Sequence, residues 1–140
     1  MNTKAYLNQI KRLDMMINNK LAEIYRLKNM ASGIFISTDS ERVQASGNKD
    51  RLGNTVAKII DLERETDKLI DILFDKRNNI IKQIDSLSNS DYYQILALRY
   101  VNYDTFNDIS DKTGWSIRQV FRLHGEALQE FEKAFGQSYL

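Results

Sequence analysis

The chain has no cysteine and no proline, and it has one histidine and one tryptophan in 140 residues. Each scarcity removes a class of explanation. Without cysteine there are no disulfides, no thiolate nucleophile and no cysteine metal site. One histidine leaves no imidazole cluster for zinc or iron. Without proline nothing in the chain forbids long uninterrupted helices. Apolar runs are short, so no segment reads as a bilayer span. The N-terminus, MNTKAYLNQIKRLDMM, lacks the apolar core and small-residue cleavage site of a signal peptide. The expectation is a cytoplasmic protein with no membrane partner. A net charge of only +1 announces no global basic footprint for nucleic acid. No Gly-rich phosphate loop and no G-x-S-x-G elbow occurs, and no metal or other cofactor is expected. An enzyme is not expected.

Heptad-like spacing is what the sequence does have. Tyr6, Ile10, Leu13, Ile17, Leu21, Ile24 and Leu27 recur three and four apart, which predicts an amphipathic helix from residue 3 to about 30, capped by Asn2 or Thr3. Leu52, Val56, Ile59, Leu62, Thr66, Leu69, Leu73, Ile80, Ile84 and Leu87 predict a second long helix over 52–87. Two such narrow seams suit a helical hairpin or a coiled coil. The stretch 31–51 reads as the connection, from Gly33, Gly47 and its Ser and Asn residues. Within it Thr38 and Glu41 have capping-box spacing, and Arg42, Lys49 and Arg51 with Ser46 and Gly47 have the composition of a phosphate nest, although a solvated linker explains them as well. The predicted fold class is all-α: a helical hairpin over 1–87 followed by a small helix-turn-helix module over 88–140.

The module carries the functional signal. Ser88 or Ser90 is a candidate cap for a helix that puts Tyr92, Ile95, Leu96, Arg99 and Tyr100 on one face. A short helix follows, with Asp104 as candidate cap and Phe106 and Ile109 buried. Asp104, Asp108 and Asp111 could hold a hard cation, but they read as solvated helix charge. Gly114 suits the left-handed residue of a tight turn, and Ser116 with Gln119 has the spacing of a second capping box. Trp115 is expected to plug the core at the turn, and His124 to lie at the edge of the next helix's core face. On that helix Val120, Leu123, Ala127 and Leu128 should face inward. Ile117, Arg118, Phe121, Arg122 and Gly125 then fall on the opposite stripe. Arginine pairs with guanine edges and apolar groups meet thymine methyls, so this stripe fits a reading helix for double-stranded DNA. Ser116, Gln119 and Lys112 join it as candidate DNA-binding residues, and Lys133 as a further backbone contact. The module carries five Lys/Arg against seven Asp/Glu, so such a head needs a second copy or a partner already on DNA.

The segment LSNSDYYQILALRYVNYDTFNDISDKTGWSIRQVFRLHGEALQEFEK resembles the promoter-reading helix-turn-helix domain of bacterial sigma factors. The likeness lies in an I-L-x-x-R-Y helix, a T-F-x-D-I helix and a final helix ending in A-L. The whole chain resembles small phage and prophage proteins with a helical N-terminal half and this sigma-like ending, in which RVQASG also recurs. The resemblance implies a late-gene transcription regulator, with Ile117, Arg118, Gln119 and Arg122 at promoter-contacting positions. It implies RNA polymerase as a second partner, and homodimerisation through the N-terminal helices is expected. Ile117 and Phe121 depart from the sigma pattern, so no base preference carries over. Two other functions fit the pattern: the small recognition subunit of a terminase-type DNA-packaging machine, and a module that antagonises a host factor through protein contacts alone.

Overall fold

The structure is a computed structural model that describes the backbone of residues 1–40 and 45–140, and side chains outside 34–48. It is all-α, as the periodicity predicts. Six α-helices follow in order among the described residues: α1 (Thr3–Leu7), α2 (Gln9–Ser40), α3 (Ala45–Asp85), α4 (Ser90–Leu96), α5 (Phe106–Thr113) and α6 (Ile117–Phe135). Asn2 caps α1 through its side-chain oxygen. The backbone of Asn8 stays right-handed, so α2 continues almost directly from α1.

The predicted connection over 31–51 is much shorter than the glycine, serine and asparagine content implies. Helix α2 runs to Ser40 and α3 begins at Ala45. Glycine inside a helix costs only about 1 kcal/mol, and elongating an existing helix is far easier than starting one. With no proline to stop them, both helices propagate. Glu41 of the expected capping box and, from the expected phosphate nest, Arg42 and the Ser46 side chain lie outside the described residues.

The chain divides into two units, Met1–Asp14 with Leu73–Leu140 and Met15–Ile72. The second unit is an antiparallel pair formed by α2 and α3. Ile24, Leu27 and Ile59 are its buried cluster, with Ala31 and Leu62 against them. Lys20 bonds Glu65 at 3.0 Å and Lys28 bonds Glu63 at 3.2 Å across the pair. Leu21 and Val56, expected on the seam, are exposed instead.

The first unit holds the larger core. Leu7, Ile10, Ile80, Ile84, Ile95, Leu96, Ile109, Val120 and Phe131 are fully buried. The boundary expected at residue 88 therefore falls inside this unit. A segment of some fifty residues has little capacity to close a core alone. Here α1, the start of α2 and the end of α3 supply the missing apolar surface to α4, α5 and α6. Tyr6 donates to Gln83 Oε1 at 2.7 Å and stacks on Tyr139, with ring centroids 4.1 Å apart. Asn89, rather than Ser88 or Ser90, caps α4, accepting from the N–H groups of Asp91 and Tyr92. Helix α4 ends in one wide turn over Ala97–Val101, of the π type. Tyr103 follows with φ 62, an uncommon conformation for a residue with a Cβ. No described helix is long and apolar enough to cross a membrane.

Candidate nucleic-acid interface

The interface is built on α5, α6 and the turn of Gly114, Trp115 and Ser116 between them. The entry to α5 is set by Thr105, whose hydroxyl accepts from the Asp108 N–H at 3.1 Å. The Asp108 carboxylate accepts in return from the Thr105 N–H at 3.0 Å. This reciprocal box holds the Asp108 carboxyl below its usual range. Asp104, the cap the sequence suggests, has a different role. It is buried, and it accepts from Lys112 Nζ at 2.8 Å. The exit from α5 is set by Gly114 at φ 78, and its N–H still donates to Ser110 O. A side chain at Gly114 would touch nothing within 4 Å, so only the backbone conformation calls for glycine here. Trp115 is half-buried against the core. Ser116 then caps α6, accepting from the Gln119 N–H at 3.1 Å.

Helix α6 sorts its faces as the spacing predicts. Val120, Leu123, Ala127 and Phe131 are buried, with Leu128 half-buried. Ile117, Arg118, Phe121, Arg122 and Gly125 are exposed, and Phe121 keeps 52% of its surface in solvent. Ser116, Arg118, Gln119 and Arg122 line an open concavity of about 610 Å³ on this side. Of the seven candidate residues, the structure thus brings six onto one continuous surface. Lys112 is the exception. Its ammonium group is tied to the buried Asp104, so it holds the start of α5 against its end rather than standing ready for a phosphate.

Three residues modify the surface in ways the stripe alone did not reveal. Glu126 accepts from Arg122 at 3.1 Å and from the Tyr92 hydroxyl at 3.0 Å. It immediately follows the stretch 112–125, which carries no acidic residue, and the four-residue offset from Arg122 was the available signal. The hydrogen bond to Glu126 raises the Tyr92 pKa. Phe106, expected in the core, is only half-buried. Its ring lies 5.0 Å from that of Phe121, with the Arg99 guanidinium carbon 4.2 Å above it. Phe121 and Phe106 thus form an aromatic ledge with a cation behind it.

Beneath the ledge sits His124. It is buried, its Nε2 is 2.7 Å from the Tyr100 hydroxyl, and the Phe106 ring meets it edge-on at 5.0 Å. Burial, with the charges of Lys4 and Arg99, lowers its pKa to about 4. Burial pushes Tyr100 up to about 12. The pair is therefore neutral at pH 7 and is a structural peg under the interface. Among the described residues no group of three or more histidines and carboxylates is placed to hold a metal ion.

A family model described as "Protein of unknown function (DUF1492)" matches residues 29–132. The chain belongs to the DUF1492 family. The matched region takes in the end of α2, all of α3, α4 and α5 and all but the last residues of α6, so the family extends over both units. No curated protein and no solved structure matches the chain.

Proposed function

We propose that this DUF1492 chain is a DNA-binding transcriptional regulator of the phage and prophage type. Helix α6 enters the major groove as its reading helix, and RNA polymerase stands beside it on the promoter. It acts in the cytoplasm as a homodimer. The observation that carries the proposal is the outward stripe of α6, where Ile117, Arg118, Phe121 and Arg122 are exposed side by side on a helix capped by Ser116. A helix that only packs gains nothing from two large apolar groups in water. Arg118 has no ion-pair partner among the described residues. Arg122 is held by Glu126 on the surface, and an exposed pair of this spacing contributes only about 0.3–0.5 kcal/mol. A phosphate or a guanine edge competes with that easily. The sigma-like pattern of the module supports the same reading.

The test is binding to native-host genomic DNA as a function of salt. Removing both arginines, with Arg118→Ala and Arg122→Ala, is expected to weaken binding by at least about tenfold and to lower the salt slope by about two. An unchanged affinity and slope would sink the proposal. One observation favours a second reading, that of a host-factor antagonist. The Phe106–Phe121 ledge is wide and apolar, and Arg122 already has a carboxylate. That reading expects no DNA bound even at low salt, and loss of a protein partner on Phe121→Ala.

A further inference from the structure

The hairpin unit, Met15–Ile72, has two unlike sides, and its two interhelical ion pairs mark them. On the side of Lys28 and Glu63, Leu21 and Tyr25 lie seven and three residues before Lys28 on α2. Val56, Ile60 and Ile70 lie seven before, three before and seven after Glu63 on α3. Offsets of three and seven rotate about 60° and about 20° around a helix, so all five flank that ion pair on one side. They are between 42% and 68% exposed. The side of Lys20 and Glu65 is the more highly charged, with Glu23, Arg26, Lys58, Asp61 and Lys68 beside the exposed Met16, Met30 and Ile72. Among the described residues the buried cluster between the helices holds Ile24, Leu27 and Ile59, with Ala31 and Leu62 packed against it.

We infer that the face of Leu21, Tyr25, Val56, Ile60 and Ile70 is a homodimer interface, on which a second copy of this chain seats the same face to form a four-helix bundle. This locates the self-association proposed above and stands apart from the DNA reading. Three features identify the occupant. Each copy offers two helices, and a pair of such hairpins is the smallest closed bundle. The charges within the face balance, Lys28 and Lys49 against Glu63 and Asp67. A twofold contact requires that self-complementarity, whereas a polyanion or an anionic membrane would meet a cationic face. The size is also right. Met15–Gly33 spans about 28 Å, and two helices side by side are about 20 Å across. That footprint is of the same order as the ~800 Å² each partner of a stable complex contributes.

Sedimentation of the full chain without DNA tests this, from about 1 to about 100 µM, where dimers of ordinary affinity dissociate. The wild type is expected at twice 16.3 kDa. Tyr25→Lys with Ile60→Lys should weaken dimerisation by on the order of 100-fold, because both positions would become buried charges. Leu21→Gln with Val56→Gln is the milder pair, should the first lose helicity. Lys58→Ala with Asp61→Ala, on the charged side, should leave the dimer intact. A wild-type monomer at every concentration overturns the inference. So does a dimer that survives both face variants while folded, or an assembly larger than two. A monomer that still binds DNA overturns this interface alone, and a dimer indifferent to DNA overturns the proposed function alone.

Discussion

His124 shows how a single titratable side chain is tied to the fold under the interface. In the folded chain its pKa is lowered to about 4, because its burial against Tyr100 and Phe106 disfavours the imidazolium. In the unfolded chain it titrates near 6.5. Below that pH only the unfolded state takes up the proton, so stability falls as pH drops from about 6.5 towards 4 and the loss levels off below. The full difference is of the order of 3 kcal/mol at one pKa unit per 1.36 kcal/mol. Carboxylates titrate in the same range, so the comparison must be made against His124→Gln. Urea unfolding at pH 7.5 and pH 5 should show a larger acid loss for the wild type than for the variant. Equal losses would mean the imidazole is accessible to protons in the folded state. Lys112 teaches the complementary lesson. Its charge counted towards a DNA surface in the sequence, but the buried Asp104 carboxylate claims it.

At the scale of elements, the turn between α5 and α6 is specified by a few side chains, and each has a separable cost. Gly114→Ala meets no steric neighbour, so its cost is the left-handed conformation alone, about 1–2 kcal/mol. Gly114→Asn should cost less, because asparagine tolerates that conformation better. Thr105→Ala removes one half of the capping box and should cost about 1 kcal/mol. Urea midpoints at constant m-value check both, and a neutral Gly114→Ala would show that the turn relaxes. These devices were readable in the sequence because caps and turns are local: Ser116, Gln119 and Gly114 lie within a few residues of the groups they serve. The caps at Asn89 and Thr105 were each displaced by one residue from Ser88 or Ser90 and from Asp104. Asp104 is buried and taken by its ion pair with Lys112, which leaves the cap to Thr105, whereas Ser88, Asn89 and Ser90 are all exposed and burial does not choose among them.

At the scale of the molecule, the segment 88–140 shares its core with residues far from it in the chain. Leu7 and Ile10 from the start of the chain, with Ile80 and Ile84 from the end of α3, are buried in the same cluster as Ile95, Ile109 and Val120. A fragment covering 88–140 is therefore expected to lack a cooperative thermal transition that the whole chain shows, measured by circular dichroism at 222 nm. A fragment that melts cooperatively would mean that α4, α5 and α6 close their own core.

The helical class, the two long seams and the inward and outward faces of α6 were determined by the sequence itself. They follow from periodicity and short-range capping, and both act along one helix. Tertiary structure alone decided which partner each face meets. Leu21 and Val56 carry the spacing of a seam, yet α2 and α3 meet along Ile24, Leu27 and Ile59 and leave them exposed. Ile80 and Ile84 have the same spacing as the hairpin residues before them, yet they belong to the other core. Asp104 and Lys112 form one ion pair, although a local reading made one a helix cap and the other a DNA contact. A helical repeat states that a stripe will be covered. What covers it is set by how the elements pack, and that depends on residues far apart in the chain.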